Sequence, residues 1–419
     1  KLEPVARLLL ALAYGLIMIY LYRELSERWA YLGFEYRPVG MLLLPLLTLA
    51  ALPAILLPRR PGSVAEFSSW ILFFTLFIPA MVIPQLQGWV TGLRAFQLFS
   101  VLFASTCLFI VLNRRRGRTF PLMALNRRLF WIGVLAIWGL LHGSIMIFLG
   151  DSLSLAGIEQ VYEQRSEVAT QLQGGLILYV ITNASGALNP FLIAIGIVDR
   201  KWVLIPLGVI GQLIVYSTLA GKIVLLFVLL VAATFLLFDR PAEMRPMRIG
   251  LGMTPVALIG IPLMLLRETV GPILENLVDL IYMRTLYLPG VLVGAYYDFF
   301  STYPITYFSH SIVGRYFSDY PYGIWSVGQV VGAYVTPGAG YQINNYNANF
   351  IAADGITGLG LVGIPIVVIL ASLVLRLADR LLGMLDLRLR CAAFVPFLMW
   401  LADGSLFTAL LSGGGIAKA

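Results

Sequence analysis

The segment Met283–Phe317 combines many aromatic side chains with Arg284, Asp298, His310 and Arg315. Arginine offers planar, paired N–H donors that suit phosphate oxygens. A carboxylate or an imidazole can take up or release a proton. Side chains of these types in one segment could therefore bind an anionic phosphate group and move a proton beside it.

Four more residues with useful charges occur elsewhere in the chain. Lys222 lies in the sequence STLAGKIVLLF, Arg267 and Glu268 follow a predicted helix, and Arg165 lies on a predicted amphipathic segment. Cations that converge on one place would bind a lipid-linked diphosphate and stabilise its negative charge as it leaves. We therefore predict a site without a metal ion or another cofactor.

Aromatic rings in the same region suit a sugar substrate. Tyr296, Tyr297 and Tyr303 belong to a dense group of rings, and flat aromatic faces can cover the apolar faces of pyranose rings. An aromatic belt at the membrane interface would also explain such rings. Both interpretations stay open at this point.

The chain lacks several common catalytic motifs. It contains no DxD pair, HExxH motif, GxSxG motif or Walker loop. No predicted extramembrane stretch on the basic side is long enough for a nucleotide-using domain. A substrate must then arrive in the membrane already activated.

These residues must be positioned by membrane helices. Of 419 residues, 59% are hydrophobic and only 12% are charged, which is typical of an integral membrane protein and not of a soluble domain. Apolar runs near 20 residues without strand-like alternation predict an all-α polytopic membrane protein, with residues 1–419 as a single membrane domain and about 11–12 transmembrane helices. The predicted spans are 5–22, 39–57, 67–88, 95–112, 129–150, 173–198, 203–219, 223–238, 249–266, 350–376 and 391–412.

Short basic loops predict the orientation. The net charge of +8 arises mainly from Lys and Arg at span ends on one side, which predicts that this side is cytoplasmic. Topology explains these clusters, so nucleic acid is not a predicted partner. The opposite side receives an amphipathic segment at 151–172 and a large, partly helical loop at 267–349, which we expect to cover the site.

Structural roles would also explain individual residues. Lys222 could snorkel to the interface, and the arginines could form ion pairs with nearby carboxylates. His142, inside the fifth span, suits a helix–helix hydrogen bond. Asp354 stands at the beginning of the tenth span, where the helix dipole favours an acid. Cys107 and Cys391 lie at apolar spans, and a disulfide is not expected.

Three further stretches are informative together: the Lys222 hairpin, Arg284 followed by LPG and YYDFFS, and NANFIAADGITGLGLVGI from Asn347 to Ile364. They resemble stretches of bacterial oligosaccharide repeat-unit polymerases, the O-antigen polymerase (Wzy-type) group. The resemblance covers about 129–415 and depends on the order and spacing of the stretches.

The resemblance implies a polymerase that transfers a polymer from undecaprenyl diphosphate to another lipid-linked repeat unit on the periplasmic face of the inner membrane. It implies a fold like that of O-antigen ligases and other metal-independent, lipid-diphosphate glycosyltransferases (GT-C-like). Diphosphate-binding roles carry over to Lys222, Arg284 and Arg315, and less directly to Arg165 and Arg267. Asn347 enters the predicted sugar site through this resemblance, and membrane lipids and a chain-length regulator are expected partners.

Several alternatives remain from the sequence. Asp298, Glu268 or His310 could take the proton of the acceptor hydroxyl, and the sequence does not choose among them. A flippase or transporter for the lipid-linked oligosaccharide is the alternative class, and it predicts charged residues inside the spans. O-antigen ligase is the third possibility, although asparagines occupy the region where ligases commonly carry a histidine.

Overall fold

The computed structural model describes most of the chain. The described residues are 3–37, 42–114, 120, 126–150, 176–219, 222–240, 243–244, 269, 282–311, 314–337 and 345–411. The predicted amphipathic segment 151–172 and the predicted span 249–266 lie outside the described residues.

Helices make up nearly all of the described structure. They are α1 (Glu3–Ser26), α2 (Leu43–Ala51), α3 (Val64–Leu72), α4 (Ile78–Gln87), α5 (Gly92–Asn113), α6 (Arg127–Leu149), α7 (Leu176–Asn183), α8 (Asn189–Val198), α9 (Leu204–Leu219), α10 (Lys222–Leu236), α11 (Leu288–Phe300), α12 (Val327–Val335), α13 (Thr357–Leu359), α14 (Gly363–Leu382), α15 (Leu387–Asp403) and α16 (Leu406–Leu411). π-helical turns occupy Phe73–Phe77, Ala184–Leu188, Met283–Tyr287 and Ile351–Ile356. 3-10 turns occupy Ala30–Leu32, Leu52–Leu56, Gly314–Tyr316 and Gly360–Val362. Two short strands, β1 (Phe238–Arg240) and β2 (Glu243–Met244), pair with each other.

The chain is an all-α polytopic membrane protein, as the sequence predicted. Within the described residues, six helices are long and apolar enough to cross a membrane: Glu3–Ser26, Val64–Gln87, Gly92–Asn113, Arg128–Leu149, Tyr179–Val198 and Ile351–Leu382. Shorter apolar helices occupy Leu43–Leu56, Leu204–Thr218 and Val224–Leu236. Each of these helices coincides with a predicted span, because a run near 20 apolar residues satisfies its backbone groups inside a bilayer only as a helix.

One helix lies at the centre of the bundle. α3, the π turn Phe73–Phe77 and α4 form a continuous apolar helix whose most apolar window is completely buried. α5, α11, α14 and α15 all pack against it. A helix that is apolar on every side must be surrounded by other helices, and this one organises the larger of the core clusters.

α11 differs from the prediction. The sequence placed 267–349 in one large external loop, but Leu288–Phe300 is a buried helix packed along α4. Gly290 and Gly294 allow the close approach, since a Cβ atom at either position would collide with α4 or its side chains. Arg284 and Asp298 interrupt the apolar run, and this hid the helix from a hydropathy pattern.

A second group of helices packs around α15. α8 and α10 contact α15, and α9 packs along α8. Val231 of α10 shares a core cluster with Leu389 and Ala392 near the beginning of α15. The later part of α10 therefore lies in the same core as the beginning of α15.

Candidate active site

The chain re-enters the bundle before α14. Residues 345–349 are not helical, yet Tyr346, Ala348 and Asn349 are buried. The Tyr296 hydroxyl donates to the Tyr346 carbonyl at 2.7 Å, and the Asn349 side-chain amide donates to the Pro289 carbonyl at 2.9 Å. Irregular backbone inside a membrane bundle is tolerated where such partners satisfy it.

The re-entrant segment then turns back as a short helical hairpin. The π turn Ile351–Ile356 and α13 lead to Gly360, whose φ of 62° reverses the chain into α14. Gly363 lies against the backbone of Gly355 so closely that a Cβ atom at Gly363 would collide with it. We call this element, residues 351–363, the re-entrant hairpin.

Asp354 of the re-entrant hairpin is completely buried and accepts two hydrogen bonds. The Ser405 hydroxyl donates to Oδ1 at 2.6 Å, and the backbone N–H of Leu406 donates to Oδ2. Both donors lie where α15 ends and α16 begins. Through these two hydrogen bonds, Asp354 ties the hairpin to this break between helices.

His310 is the third neighbour of Asp354. Its Nε2 atom lies 3.5 Å from Asp354 Oδ1, within ion-pair distance but without the geometry of a hydrogen bond. Its Nδ1 atom lies 2.7 Å from the Thr306 hydroxyl. Thr306 also contacts the Thr357 carbonyl of the hairpin through both its N–H and its hydroxyl.

The network allows His310 to exist in two protonation states. An ionised Asp354 favours a proton on Nε2, as assigned from the hydrogen-bond partners. When the Thr306 hydroxyl donates to Nδ1, the ring is neutral. When that hydroxyl donates instead to the Thr357 carbonyl, 3.1 Å away, Nδ1 can carry a second proton. Thr306 therefore lets His310 accept a proton without losing its partners.

Arg284 approaches the same region from the π turn before α11. Its guanidinium side chain is exposed, and it lies close enough to Asp403 to stabilise that carboxylate electrostatically. Asp403 ends α15, two residues before Ser405. Arg284, Asp403, Ser405 and Asp354 thus follow one another along the end of the bundle.

A cleft adjoins this region through the segment after His310. Its volume is about 510 Å³, and it is lined by Arg315, Ser318, Asp319, Tyr320, Gly323 and Ile324. The Ser309 hydroxyl donates to the Asp319 carbonyl at 3.2 Å and so connects the cleft to the neighbour of His310. Burial raises the pKa of Tyr320 to about 12, an effect that the Arg315 charge opposes. Tyr320 is therefore a hydrogen-bond donor at neutral pH.

Asp298, a predicted catalytic residue, lies in a different environment. Its carboxylate forms an ion pair with Arg94 at 3.0 Å and accepts a hydrogen bond from the Tyr334 hydroxyl at 2.7 Å. Arg94 also lies over the Tyr297 ring, 5.6 Å from its centroid. This network joins α5, α11 and α12, so Asp298 has the partners of a structural carboxylate.

The predicted sugar-binding residues fall into two groups. Tyr296 and Tyr297 are buried within the bundle, at 1% and 7% exposure, and do not present their faces to solvent. Tyr303 is 45% exposed and stacks on Phe299 with ring centroids 4.5 Å apart. Asn347 is exposed on the re-entrant segment. Only Tyr303 and Asn347 of this set therefore face a space that a sugar could occupy.

Four of the predicted residues are described in part or not at all. Arg165, Arg267 and Glu268 lie outside the described residues, and so does the side chain of Lys222. The backbone of Lys222 begins α10, a helix that contacts α15.

A second buried polar cluster contains the other histidine. His142 Nε2 lies 3.2 Å from the side-chain amide nitrogen of Asn189, and the Trp138 indole N–H donates to the Asn189 side-chain oxygen at 3.2 Å. These contacts join α6 to α8, as the predicted interhelical hydrogen bond of His142 requires. Polar contacts of this kind hold membrane helices together.

Sequence reasoning did not assign Thr306, Ser405 or Asp403 to the site, and it gave Asp354 only a helix-dipole role. Ser405 and Asp403 are far along the chain from Asp354 and Arg284, and Thr306 is far from Thr357, so spacing in the sequence gave no indication of these contacts. Asp354 did carry one. A carboxylate within an otherwise apolar run is costly in a membrane and commonly marks a functional position.

Comparison with protein-family models, with curated proteins and with solved structures finds no match for this chain. Within the described residues, no group of three His, Cys, Asp or Glu side chains is arranged to hold a metal ion. The chemistry of the site must therefore be argued from its own side chains.

Proposed function

We propose that this chain is a membrane glycosyltransferase that polymerises oligosaccharide repeat units carried on undecaprenyl diphosphate, without a metal ion. One set of contacts supports the proposal. His310 faces Asp354, whose hydrogen-bond donors Ser405 and Leu406 follow Asp403, the carboxylate on which the Arg284 charge acts, and Arg315 lines a cleft five residues after His310. The His310–Asp354 pair supplies a proton acceptor, and the arginines supply positive charge for a diphosphate.

The two arginines would hold the diphosphate of the donor lipid. Arg315 lines a cleft and Arg284 is exposed near Asp403, so both guanidinium groups can reach an added ligand. Asp319 lines the same cleft as Arg315, and the Arg284 charge acts on the Asp403 carboxylate. Preorganised charge of this kind stabilises a leaving diphosphate more than the intact substrate does.

His310 is the proposed base. Asp298 already pairs with Arg94 through one carboxylate oxygen and with the Tyr334 hydroxyl through the other. His310 has Asp354 on one side of the ring and a hydroxyl that can reorient on the other. Among the described candidates, it alone combines an orienting carboxylate with a nitrogen that can gain a proton.

The proposed reaction is a single displacement. The acceptor hydroxyl oxygen attacks the anomeric carbon of the donor, and the bond from that carbon to the diphosphate oxygen breaks. The electron pair of that bond leaves with the diphosphate toward Arg284 and Arg315. The hydroxyl proton passes to the His310 ring, and Asp354 stabilises the resulting imidazolium.

The location of the site supports an outer-face assignment. The site lies near Gly363 at the beginning of α14, whereas the basic residues Arg376 and Arg380 lie near its end. The positive-inside rule assigns basic loops to the cytoplasm. We therefore place the site on the periplasmic face of a bacterial inner membrane, where a chain-length regulator would act.

A transporter of the same lipid-linked oligosaccharide is a second candidate, because of the re-entrant hairpin. Discontinuous helices with buried polar groups also form the substrate sites of secondary transporters. The two candidate functions differ in the glycan that they produce. A polymerase makes longer glycans, whereas a transporter moves single repeat units unchanged.

The test compares arginine variants for polymer formation. Cells of the source organism that lack this chain are complemented with wild type, Arg284→Ala, Arg315→Ala or His310→Gln, and surface glycans are separated by length. We expect each variant to lower polymer synthesis by about 10²–10³-fold, as removal of other transition-state donors does. Arg284→Lys should restore it only in part, since lysine lacks the paired donors.

Arg37→Ala is the matched control. Arg37 is an exposed arginine that forms an ion pair with Glu35 at 2.8 Å and packs near Gly88. Its replacement should leave the glycan ladder intact. A ladder of normal length and intensity in both Arg284→Ala and Arg315→Ala, at wild-type protein levels, would refute the proposed function.

A further inference from the structure

Three large apolar side chains stand out from the bundle beside the Arg315 cleft. Tyr316, Phe317 and Ile324 are 84%, 85% and 90% exposed. All three lie outside the longer helices, in the loop between α11 and α12. We call these three residues the apolar patch. Arg315 lies beside Tyr316 in the chain, and Ile324 also lines the cleft.

The backbone under the apolar patch is held in place. Ser311 donates its N–H to the Phe308 carbonyl, and Arg315 and Phe317 donate theirs to the carbonyls of Ser311 and Gly314. Gly314 approaches Phe308 so closely that a Cβ atom would collide with the Phe308 backbone. The patch therefore points outward because the turn is fixed, and not because it lacks structure.

The apolar patch borders a lipid-facing surface. Phe308, under the turn, packs against Gly358 of the re-entrant hairpin and against Phe407 of α16. The hairpin leads into Val362, which is 67% exposed. From there an exposed apolar stripe continues along the membrane helix α14 through Ile366, Ile369, Leu370, Leu373 and Leu377. The patch thus lies next to the outer end of a surface that faces acyl chains.

We propose that the apolar patch inserts into the headgroup layer of the outer leaflet, with Arg315 at the depth of the lipid phosphates. Aromatic and aliphatic side chains with an adjacent arginine have the composition of interfacial membrane contacts, and arginine reaches the phosphate layer while its stem stays apolar. The cleft then opens toward lipid phosphate and not toward bulk water. This inference does not depend on the proposed enzymatic activity.

The membrane is the favoured occupant over a protein partner. The patch is continuous with the stripe of α14, whose hydropathy and length suit a membrane span. Its positive neighbour Arg315 complements anionic phosphate, and its exposed side chains belong to one short turn and one nearby residue. A lipid surface can accommodate these few side chains without a shaped partner.

Spin labels test the depth of the patch. In a chain with Cys107→Ser and Cys391→Ala, single cysteines replace Phe317, Ile324 or, as a control, Thr302, and each carries a nitroxide. The labelled chains are placed in nanodiscs of phosphatidylethanolamine and phosphatidylglycerol. Collision rates with oxygen, which prefers lipid, and with a water-soluble nickel chelate are then measured.

Insertion predicts a clear difference between the labels. The oxygen-to-nickel ratio at 317 and 324 should exceed that at 302 by about threefold or more, because the patch would be in contact with lipid. A second variant, Phe317→Asp, should lower the ratio at 324 toward the control value. Since Thr302 is exposed in the same loop, it reports on water at this end of the molecule.

Two results would overturn the proposal. Equal ratios at 317, 324 and 302 would place the patch in water. Low collision rates with both reagents, together with line broadening that disappears on dilution with unlabelled chain, would show that a second copy covers the patch. Native size-exclusion elution of each labelled chain confirms that the measurement reports on the folded protein.

Discussion

Two carboxylates at opposite ends of α14 accept hydrogen bonds from the beginning of another helix. Asp379 accepts the backbone N–H groups of Val64 and Ala65, which begin α3, at 2.7 and 3.0 Å. Asp354, just before α14, accepts the N–H of Leu406, which begins α16. In both places a carboxylate accepts backbone N–H groups at the positive end of a helix.

The third partner makes the two places different. Asp379 faces Arg390 at 3.6 Å, a side chain that keeps its charge at every physiological pH. Asp354 faces His310, and an imidazole is a side chain that can take up or release a proton. A carboxylate that accepts N–H groups from a helix beginning therefore faces a permanently charged arginine at the basic end of α14 and a proton-accepting histidine at the opposite end. In the second arrangement, His310 is followed five residues later by Arg315, which lines a cleft.

The largest expected effect is a loss of polymer synthesis when Asp354 is replaced. Asp354→Asn keeps the shape of the side chain but removes the charge that would stabilise a protonated His310. We expect polymer synthesis to fall by about 10²–10⁴-fold, the range in which a positioned general base contributes. The measurement is glycan chain length and yield per folded protein in proteoliposomes with the lipid-linked repeat unit.

The matched control is Asp379→Asn, the same chemical change at the basic end. Its polymer synthesis per folded protein should stay within about threefold of wild type, because no reacting group lies there. Equal losses of turnover in the two variants would remove the distinction between the two ends.

The next effect concerns stability at the basic end. Asp379→Ala leaves the N–H groups of Val64 and Ala65 without their acceptor and leaves Arg390, which is 9% exposed, without its carboxylate. We expect a loss of about 1–3 kcal/mol in the free energy of unfolding, the cost of unpaired buried donors. Denaturation in detergent micelles measures it. An unchanged unfolding midpoint would show that water replaces the carboxylate, and the basic end would then be solvated.

The sequence predicted the positions of the membrane helices better than the side-chain contacts between them. Runs such as Gly92–Asn113 contain enough apolar residues to determine a membrane helix locally. The helix Leu288–Phe300 escaped prediction because the charge of Asp298 interrupts its apolar pattern, and only Arg94, some 200 positions earlier, compensates that charge. The local sequence around a charged residue cannot show that a distant residue will neutralise its charge in the folded protein.

The candidate site was predicted less completely than the membrane helices, for the same reason. The sequence indicated His310 and the arginines, because their residue types suit the chemistry. It did not indicate that Asp354, instead of Asp298, faces His310, since that contact arises from the re-entrant hairpin. The hairpin depends on the close approach of the backbone at Gly355 and Gly363. The position of a glycine in the sequence does not predict which part of the backbone will pack against it.

A smaller effect is expected from the hydroxyl that joins His310 to the hairpin. Thr306→Val keeps the shape but removes the group that contacts Nδ1 at 2.7 Å. Loss of one hydrogen bond of about 1 kcal/mol corresponds to a fall of about five- to tenfold in turnover. Thr306→Ser retains the hydroxyl and should restore most of the rate. If valine and serine behave alike, the hydroxyl has no part in proton transfer.

The smallest expected effect tests whether the Asp298 network is structural. Burial, followed by the hydrogen bond to Asp298, raises the pKa of Tyr334 from 10.0 to about 12. The folded state then holds this proton more tightly than the unfolded state, so the stabilisation is complete below pH 10 and is lost between pH 10 and about 12. Wild type should therefore unfold at a higher temperature than Tyr334→Phe at pH 8, and the difference should shrink as pH rises toward 12. Tyr307→Phe, at an exposed ring, controls for the loss of a surface hydroxyl, and a difference that stays constant with pH would exclude Tyr334 as the titrating partner of this network.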